Sequence, residues 1–341
     1  MSFTKRIEFG NYTVKFGEHK ALLDNFEDIV MPSFFEMKYV RSIKGKGDYF
    51  FLDTKLVRLD DNEEIPVIGI AGRIVKNTKL KRDQIFRRDG GLIEDQQELE
   101  TAPSSTFLLI LNNHRLMLCR EVSGAPTIQN FQSTSQYCLT QRHREFIQDK
   151  FDKAKDEREA DKTIERVTKI KLLAELPFPQ LRITPLSDKQ DLRGFIARFN
   201  NIEELSIKLL PTNKEEIDND DFWAGFGARR EQLNSSSATA RFSNPKEGLD
   251  ANAVYSQTSA ASNFGNSEIS LKGSDAHGDT LKGSNEDFSL SIEIDDLPKN
   301  IERAAQAKYG QFLKLAQAGI IVLPNLTDAV VNKIKSLIDR L

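Results

Sequence analysis

The first 120 residues alternate between apolar and polar positions in short runs, which is the two-residue period of a β-strand. The Asp-Asp-Asn-Glu sequence at 60–63 separates two of the runs as a hairpin turn would. Asn112 and Asn113 separate the last two, and because asparagine tolerates positive φ, we predict a two-residue type I′ turn there. The predicted strand runs are 6–16, 37–44, 49–52, 55–59, 65–75, 105–111 and 114–120.

The spacing of apolar residues changes to the helical period near Gln129. Apolar side chains recur at helical intervals through residue 173, and Pro177 and Pro179 end the pattern because proline lacks the amide donor that a helix needs. Thirteen of the eighteen residues from Asp149 to Arg166 are charged. Such a run has no apolar face to bury, so we predict a solvent-exposed helical connector here.

The second half of the chain mixes both periods. Strand-like runs cover 180–186, 202–210, 238–242, 268–271 and 288–294, and helical runs cover 188–199, 215–233, 300–318 and 326–341. Residues 235–287 are rich in Ser, Gly and Asn, so we predict exposed strands joined by long polar loops there. The sequence Leu-Lys-Gly-Ser occurs at 271–274 and again at 281–284, which predicts a hairpin with matched arms.

These patterns predict an α+β fold, with a mostly antiparallel β N-terminal domain, a charged helical connector and a C-terminal mixed sheet covered by helices. We place the β-rich domain at 1–148, the connector at 149–178 and the α+β domain at 179–341. A chain of 341 residues is long enough for two cores. The two halves of the chain differ in charge, because residues 1–200 carry 33 Lys/Arg against 30 Asp/Glu, and residues 201–341 carry 15 against 21.

Composition argues against several classes of protein. The longest apolar stretches are far shorter than the ~20 residues of a membrane helix, and the N-terminus lacks the apolar segment of a secretory signal. Cys119 and Cys138 are too few for a disulfide framework or a zinc site, so we predict reduced thiols in a cytoplasmic protein. No phosphate-binding glycine loop, nucleophile elbow or metal-ligand spacing is present, so we predict no metal, no cofactor and no membrane contact.

The basic run from Arg73 to Arg88 is the strongest candidate for a binding site, and we assign it to the end of a strand and the loop that follows. Clustered cations release counterions when they contact a polyanion, which favours nucleic-acid binding, and Phe86 would stack on bases. A surface that docks on the acidic second half, or a solvated loop, would show the same pattern. The candidate nucleic-acid-binding residues are Arg73, Lys76, Lys79, Lys81, Arg82, Arg87 and Arg88, with Lys44 and Lys46 upstream.

The last helical run is the second candidate site. Val330, Ile334, Leu337 and Leu341 lie on one continuous apolar stripe. The stripe would either complete the core of the second domain or form an interface with another copy.

Three functional hypotheses follow. The leading one is a non-enzymatic binding or assembly protein whose basic N-terminal surface contacts a polyanion, and the lack of catalytic motifs suggests an accessory or defence-type bacterial protein. The alternative is an oligomeric scaffold or adaptor in which the basic half docks on the acidic half. The third is a metal-independent nuclease that uses His114 and His143 as an acid–base pair.

Overall fold

The computed structural model describes residues 3–17, 20–35, 37–60, 64–210, 221–262, 265–324 and 326–338, and it confirms the α+β class. Its strands are β1 (Lys5–Phe16), β2 (Lys20–Ala21), β3 (Arg41–Ile43), β4 (Gly47–Asp60), β5 (Val67–Arg87), β6 (Gly91–Thr101), β7 (Ser104–Ile110), β8 (Arg115–Arg120), β9 (Pro179–Pro185), β10 (Asn201–Leu209), β11 (Ala238–Ser243), β12 (Ser267–Ser274), β13 (Thr280–Ser284) and β14 (Ser291–Ile294). Its α-helices are α1 (Met31–Ser33), α2 (Ile128–Ala160), α3 (Lys169–Glu175), α4 (Lys189–Ile196), α5 (Asp221–Gln232), α6 (Ala251–Ser262), α7 (Ile301–Gln317) and α8 (Asp328–Ile338).

The first sheet is antiparallel, with the strand order β14–β1–β8–β7–β5–β4–β3. Strands β2 and β9 also pair with β1, and β6 pairs with β5. The predicted β4–β5 hairpin is present, although residues 61–63 of its turn lie outside the described residues. The β7–β8 hairpin is also present, but the predicted type I′ turn is wrong. The loop covers 111–114, and only His114 in it has a positive φ.

Both faces of this sheet are buried. Phe107 and Leu109 join one apolar cluster, whereas Leu108 and Ile110 join a second cluster on the opposite face. Successive side chains of a strand point to opposite faces, so a strand buried on both sides must be apolar at every position. This is why residues 107–111 form an unbroken apolar run.

Helix α2 covers the first face. It begins at a capping box in which the Thr127 side chain accepts from the Asn130 amide, and its 33 residues span about 50 Å. Phe131 packs its ring among Phe34, Phe51 and Phe107, with centroid distances of 5.0–6.4 Å. The last turns of the helix are charged and mostly exposed, as we predicted for this run.

Helix α3 folds back onto α2. The ring Nε2 of the buried His143 lies 2.9 Å from the carbonyl oxygen of Leu176, the residue that ends α3. Leu172 packs against the first apolar cluster, and Lys169 lies over the ring of Phe151. The predicted connector is therefore a helical hairpin that is partly docked on the first sheet.

The second sheet has the order β11–β10–β12–β13, and its core contains Leu205, Ile207 and Leu209 from β10 together with residues of α4, α5 and α6. All its strand pairs are antiparallel, which corrects our prediction of a mixed sheet. The matched Leu-Lys-Gly-Ser arms do form a hairpin, in which Lys272 pairs with Lys282. Helix α6 replaces one of the polar loops that we predicted in the serine-rich region.

Several elements from the second half of the chain pair with or pack on the first sheet. Strand β9 runs beside β1 through seven paired positions, and β14 pairs with the start of β1. Helix α7 packs Ala305, Tyr309 and Phe312 into the second apolar cluster, and α8 packs into the first. The predicted 179–341 domain therefore shares its core with the predicted 1–148 domain, and residues 186–290 contain the elements of the smaller sheet.

Candidate functional site

The basic run lies on a two-stranded ribbon, which we define as residues 76–101. From Gly69 to Val75, β5 lies between β4 and β7, and at Lys76 and Asn77 it still pairs with β4. From Thr78 to Arg87 it pairs only with β6 among the described strands. Ten residues of strand span about 33 Å. Every residue of 79–100 is exposed except Ile85 and Asp95, which are half-buried. The ribbon therefore projects from the first sheet, where we predicted a strand end followed by a loop.

A short turn closes the ribbon. Arg87 and Gly91 are its last paired residues, and the Gly90 amide donates to the Arg87 carbonyl oxygen over 3.3 Å. Gly91 has a φ of +69°, a conformation that glycine adopts without steric cost. The Asp-Gly-Gly sequence at 89–91, which is typical of a turn, thus lies at the tip of the ribbon.

Acidic residues on β6 pair with the cations of β5. Lys79 and Lys81 each contact Glu98, at 3.0 and 3.1 Å, and Arg82 pairs with Asp95. Hydrogen bonds from the two lysines lower the pKa of Glu98, and the bond to Glu98 raises the pKa of Lys79. These pairs are exposed, so each contributes little to stability. Their main effect is to neutralise the cations that we predicted would contact phosphates.

Arg73 has a different environment from the rest of the run. Its side chain is only 17% exposed, and it pairs with Asp53 and, at 3.5 Å, with Glu121. Its Nη2 also donates to the Lys299 carbonyl oxygen over 2.8 Å, next to the start of α7. We therefore assign Arg73 to the packing of α7 on the sheet and remove it from the candidate contact surface.

The remaining candidate cations form two separate groups. Lys44 and Lys46 lie in the β3–β4 turn, and Lys76 lies near them because it pairs with Tyr49 of β4. Arg87 and Arg88 lie at the tip, about 36 Å further along the ribbon. None of these five forms an ion pair with another described residue. The structure thus divides the predicted nucleic-acid-binding surface into a base group and a tip group.

Two exposed apolar pairs lie on one face of the ribbon, and of their four residues the sequence analysis singled out only Phe86. Leu80 lies opposite Leu99, and Phe86 lies opposite Leu92. Their exposed fractions are 58% and 66% for the first pair and 71% and 72% for the second. The sequence does contain a signal for the pair at the tip, because Phe86 and Leu92 each stand three residues from Asp89.

The terminal helix packs within the chain. Val330 and Ile334 are buried in the first apolar cluster, and Leu337 packs against the same cluster. Lys333 forms an ion pair with Asp24 on the same side of the sheet. The stripe therefore completes a core at Val330 and Ile334, as one of our alternatives predicted, but this core belongs to the first sheet and not to a separate second domain. An interface between copies stays a prediction. Leu341 lies outside the described residues.

The two candidate catalytic histidines lie apart. The His114 carbonyl oxygen accepts from the Tyr12 amide, whereas the His143 ring stacks on Phe16, four residues or about 13 Å further along β1. Burial lowers the pKa of His143, which favours its neutral form. The structure therefore does not bring the two rings together as an acid–base pair.

The thiols and acids show no sign of a metal centre among the described residues, where no group of three or more His, Cys, Asp or Glu side chains is suitably placed. Cys119 and Cys138 are both buried and form no disulfide, and burial raises the pKa of each thiol. Within the same described part of the chain, no helix is both long and apolar enough to cross a membrane.

No known protein family has a model that matches this sequence, and no curated protein matches it either. Function must therefore be argued from the geometry of the chain itself.

Proposed function

We propose that this protein is a self-assembling scaffold whose ribbon contacts a second copy of the chain. The observation that carries the proposal is the pair of exposed apolar contacts, Leu80–Leu99 and Phe86–Leu92, on one face of a projecting ribbon. An isolated two-stranded ribbon is marginally stable in water, and clustered apolar side chains on such an arm are typical of a protein–protein contact. Covering them with a partner removes this apolar area from water.

The charges of the ribbon favour a protein partner over a polyanion. Residues 76–101 carry six Lys/Arg and six Asp/Glu, so the ribbon has no net charge. All six cations lie in 76–88 and five of the six acids lie in 89–101, which makes one arm basic and the other acidic. A phosphate backbone that approached Lys79 or Arg82 would also meet Glu98 and Asp95. A protein surface of mixed charge avoids this repulsion between phosphates and carboxylates.

A second copy of the chain has the complementary properties. Residues 1–200 carry a net charge of +3 and residues 201–341 a net charge of −6, so the basic half of one copy attracts the acidic half of another. Most soluble assemblies consist of identical subunits, and a contact arm that every copy carries suits such an assembly.

The test is the mass of the protein in solution as a function of its concentration, measured by sedimentation equilibrium. We expect the wild type to form a discrete oligomer. Replacing Leu80, Phe86, Leu92 and Leu99 together by Thr, which keeps the strand propensity, should weaken association about tenfold or more. The control Gln84→Thr changes an exposed residue of the same face and should associate as the wild type does. A wild type that stays monomeric at high concentration and low salt overturns the proposal.

Polyanion binding is the other outcome that this experiment can reveal, and it stays a prediction. A monomeric wild type that is retained on heparin, with weaker retention after Lys44→Ala, Lys46→Ala and Lys76→Ala, would favour it. Each substitution that removes a bond to a phosphate should lower the salt dependence of binding by about one slope unit.

A further inference from the structure

A cavity of about 520 Å³ opens on the smaller sheet. It lies where β10 and β11 meet the beginnings of α5 and α6, and its lining is largely apolar. The side chains that form it include Leu205, Phe222, Phe242, Leu249 and Val254. Phe222 and Phe242 are 55% and 40% exposed, so the apolar surface continues outward to the mouth of the cavity. A concave apolar site of this size accommodates large hydrophobic groups.

The tip of the ribbon has the matching properties. Phe86 and Leu92 are the most exposed apolar pair of the ribbon, and they lie next to its closing turn, where a narrow two-stranded end can enter a concave surface. Arg87 and Arg88 flank them and form no ion pair with described residues. The tip is therefore an apolar wedge with two cations beside it.

One acid lines the cavity, and a second acid lies close to it in the chain. Asp250 lines the cavity, where its Oδ1 accepts from the Ala253 amide over 2.8 Å, and Glu247 lies three residues before it in an exposed position. Neither forms an ion pair with a described residue. Lys246 lies in the same loop, so this loop is only modestly acidic. Apolar burial would supply most of the binding energy, and the charges would orient the tip.

We propose that the tip of the ribbon of one copy inserts Phe86 and Leu92 into this cavity of a second copy. The inference rests on the proposed self-assembly and names the surface that receives the ribbon. The tip does not fill the cavity of its own chain, because Phe86 and Leu92 remain more than two-thirds exposed there, so in this proposal the receiving cavity belongs to a second copy. Two reciprocal insertions close a dimer with two-fold symmetry, whereas repeated single insertions build a ring or an open chain.

The test blocks each side of the contact separately. Phe86→Thr/Leu92→Thr removes the wedge, and Ala253→Trp fills the cavity from an exposed position of α6 that lines it. Each variant alone should lower self-association about tenfold or more in sedimentation equilibrium. Asn252→Trp is the matched control, because Asn252 is an exposed residue of the same helix that does not line the cavity. It should associate as the wild type does.

A mixture of the two blocked variants decides between docking modes. The wedge variant still has an open cavity and the cavity variant still has an intact wedge, so one insertion per pair remains possible. We expect a mixture with one fluorescently labelled component to form a complex that neither variant forms alone. If the ribbons instead paired with each other, Ala253→Trp would associate with itself through its intact ribbon, and a labelled wedge variant would stay monomeric in the mixture.

Charge reversal tests the contact without changing the shape of the cavity. Arg87→Glu/Arg88→Glu should weaken association, and mixing this variant with Glu247→Lys should restore part of it. If the wild type self-associates and Ala253→Trp associates equally well, the cavity inference is overturned while the scaffold proposal stands. If Ala253→Trp loses its cooperative melt, the charge-reversal mixture decides, and a lack of rescue overturns the inference.

Discussion

Lys308 shows how tertiary packing changes the chemistry of a single residue. It lies on α7, fully buried against the sheet, and its Nζ donates to the Thr106 Oγ1 over 2.8 Å. Burial lowers the pKa of Lys308 to about 8, although the nearby Cys119 and Glu121 oppose this shift and Arg73 adds to it. A lysine on a helix usually faces solvent, so nothing in the sequence marked this position.

Lys308 should make the stability of the protein depend on pH. An unfolded lysine keeps its proton up to about pH 10.4, whereas the folded one loses it above pH 8. Between these values the unfolded state binds more protons, so the contribution of Lys308 to the free energy of unfolding rises with pH. The free energy of unfolding of Lys308→Met should exceed that of the wild type by the largest amount below pH 8. This difference should shrink by about 2–3 kcal/mol by pH 10.

Denaturant unfolding of both proteins from pH 7 to pH 10 measures this difference, and the comparison cancels the titration of groups that both proteins share. Lys314→Met is the control, because Lys314 is an exposed residue of the same helix. A difference between Lys308→Met and the wild type that stays constant over this range would contradict the buried, titrating lysine.

Ile334 tests the location of the terminal helix. It is buried in the first apolar cluster, so Ile334→Asp places a carboxylate in an apolar site and should lower the free energy of unfolding by about 3 kcal/mol or more. Asn332→Asp changes an exposed residue of the same helix and should have little effect. Thermal melting of both variants measures this. A folded Ile334→Asp protein with a reduced oligomeric mass would instead indicate an interface.

At the scale of elements, the ribbon shows where the sequence pattern stops predicting a strand. The alternation of β5 as far as Val75 indicated a strand, but the following cations hid its continuation. A strand with both faces in water needs no apolar positions, so its period is weak in the sequence. Cross-strand pairing with β6 holds it together instead, and this pairing is a contact between distant positions.

Removing the ribbon should separate assembly from folding. Thr78 pairs with Thr101, so replacing residues 79–100 by Asn-Gly joins the two strands through a two-residue hairpin turn. The removed residues bury almost nothing within the chain, so the melting temperature should stay within a few degrees of the wild type. Self-association should disappear. A large drop in melting temperature would show that the ribbon packs against the body of the protein.

At the scale of the whole molecule, the core of the first sheet draws on both ends of the chain. Strand β1 pairs with β9 and β14, and both α7 and α8 bury apolar residues on this sheet. Cleavage between α2 and α3 would therefore cut the backbone without separating two independent cores. We therefore do not expect such a cleavage to release two stable fragments.

Limited proteolysis measures the consequence. The exposed segment at 161–168 should be cut first, because its backbone has few buried contacts. We expect the nicked protein to elute as one species under native conditions and to separate only in denaturant. Expressed alone, residues 1–160 should not melt cooperatively, since β9, β14, α7 and α8 are missing. A folded, soluble 1–160 fragment would support the division into independent domains instead.

Local pattern alone determined the α+β class, most strands of the first sheet, and the helices α2, α7 and α8, because strand and helix periods arise from neighbouring residues. Tertiary structure decided which elements meet. It brought Glu98 to Lys79, placed α8 on the first sheet and exposed Phe86 beside Leu92. Partners far apart in the chain leave no periodic trace in one sequence, since many pairings satisfy the same hydrophobic pattern and only packing of the whole chain selects among them.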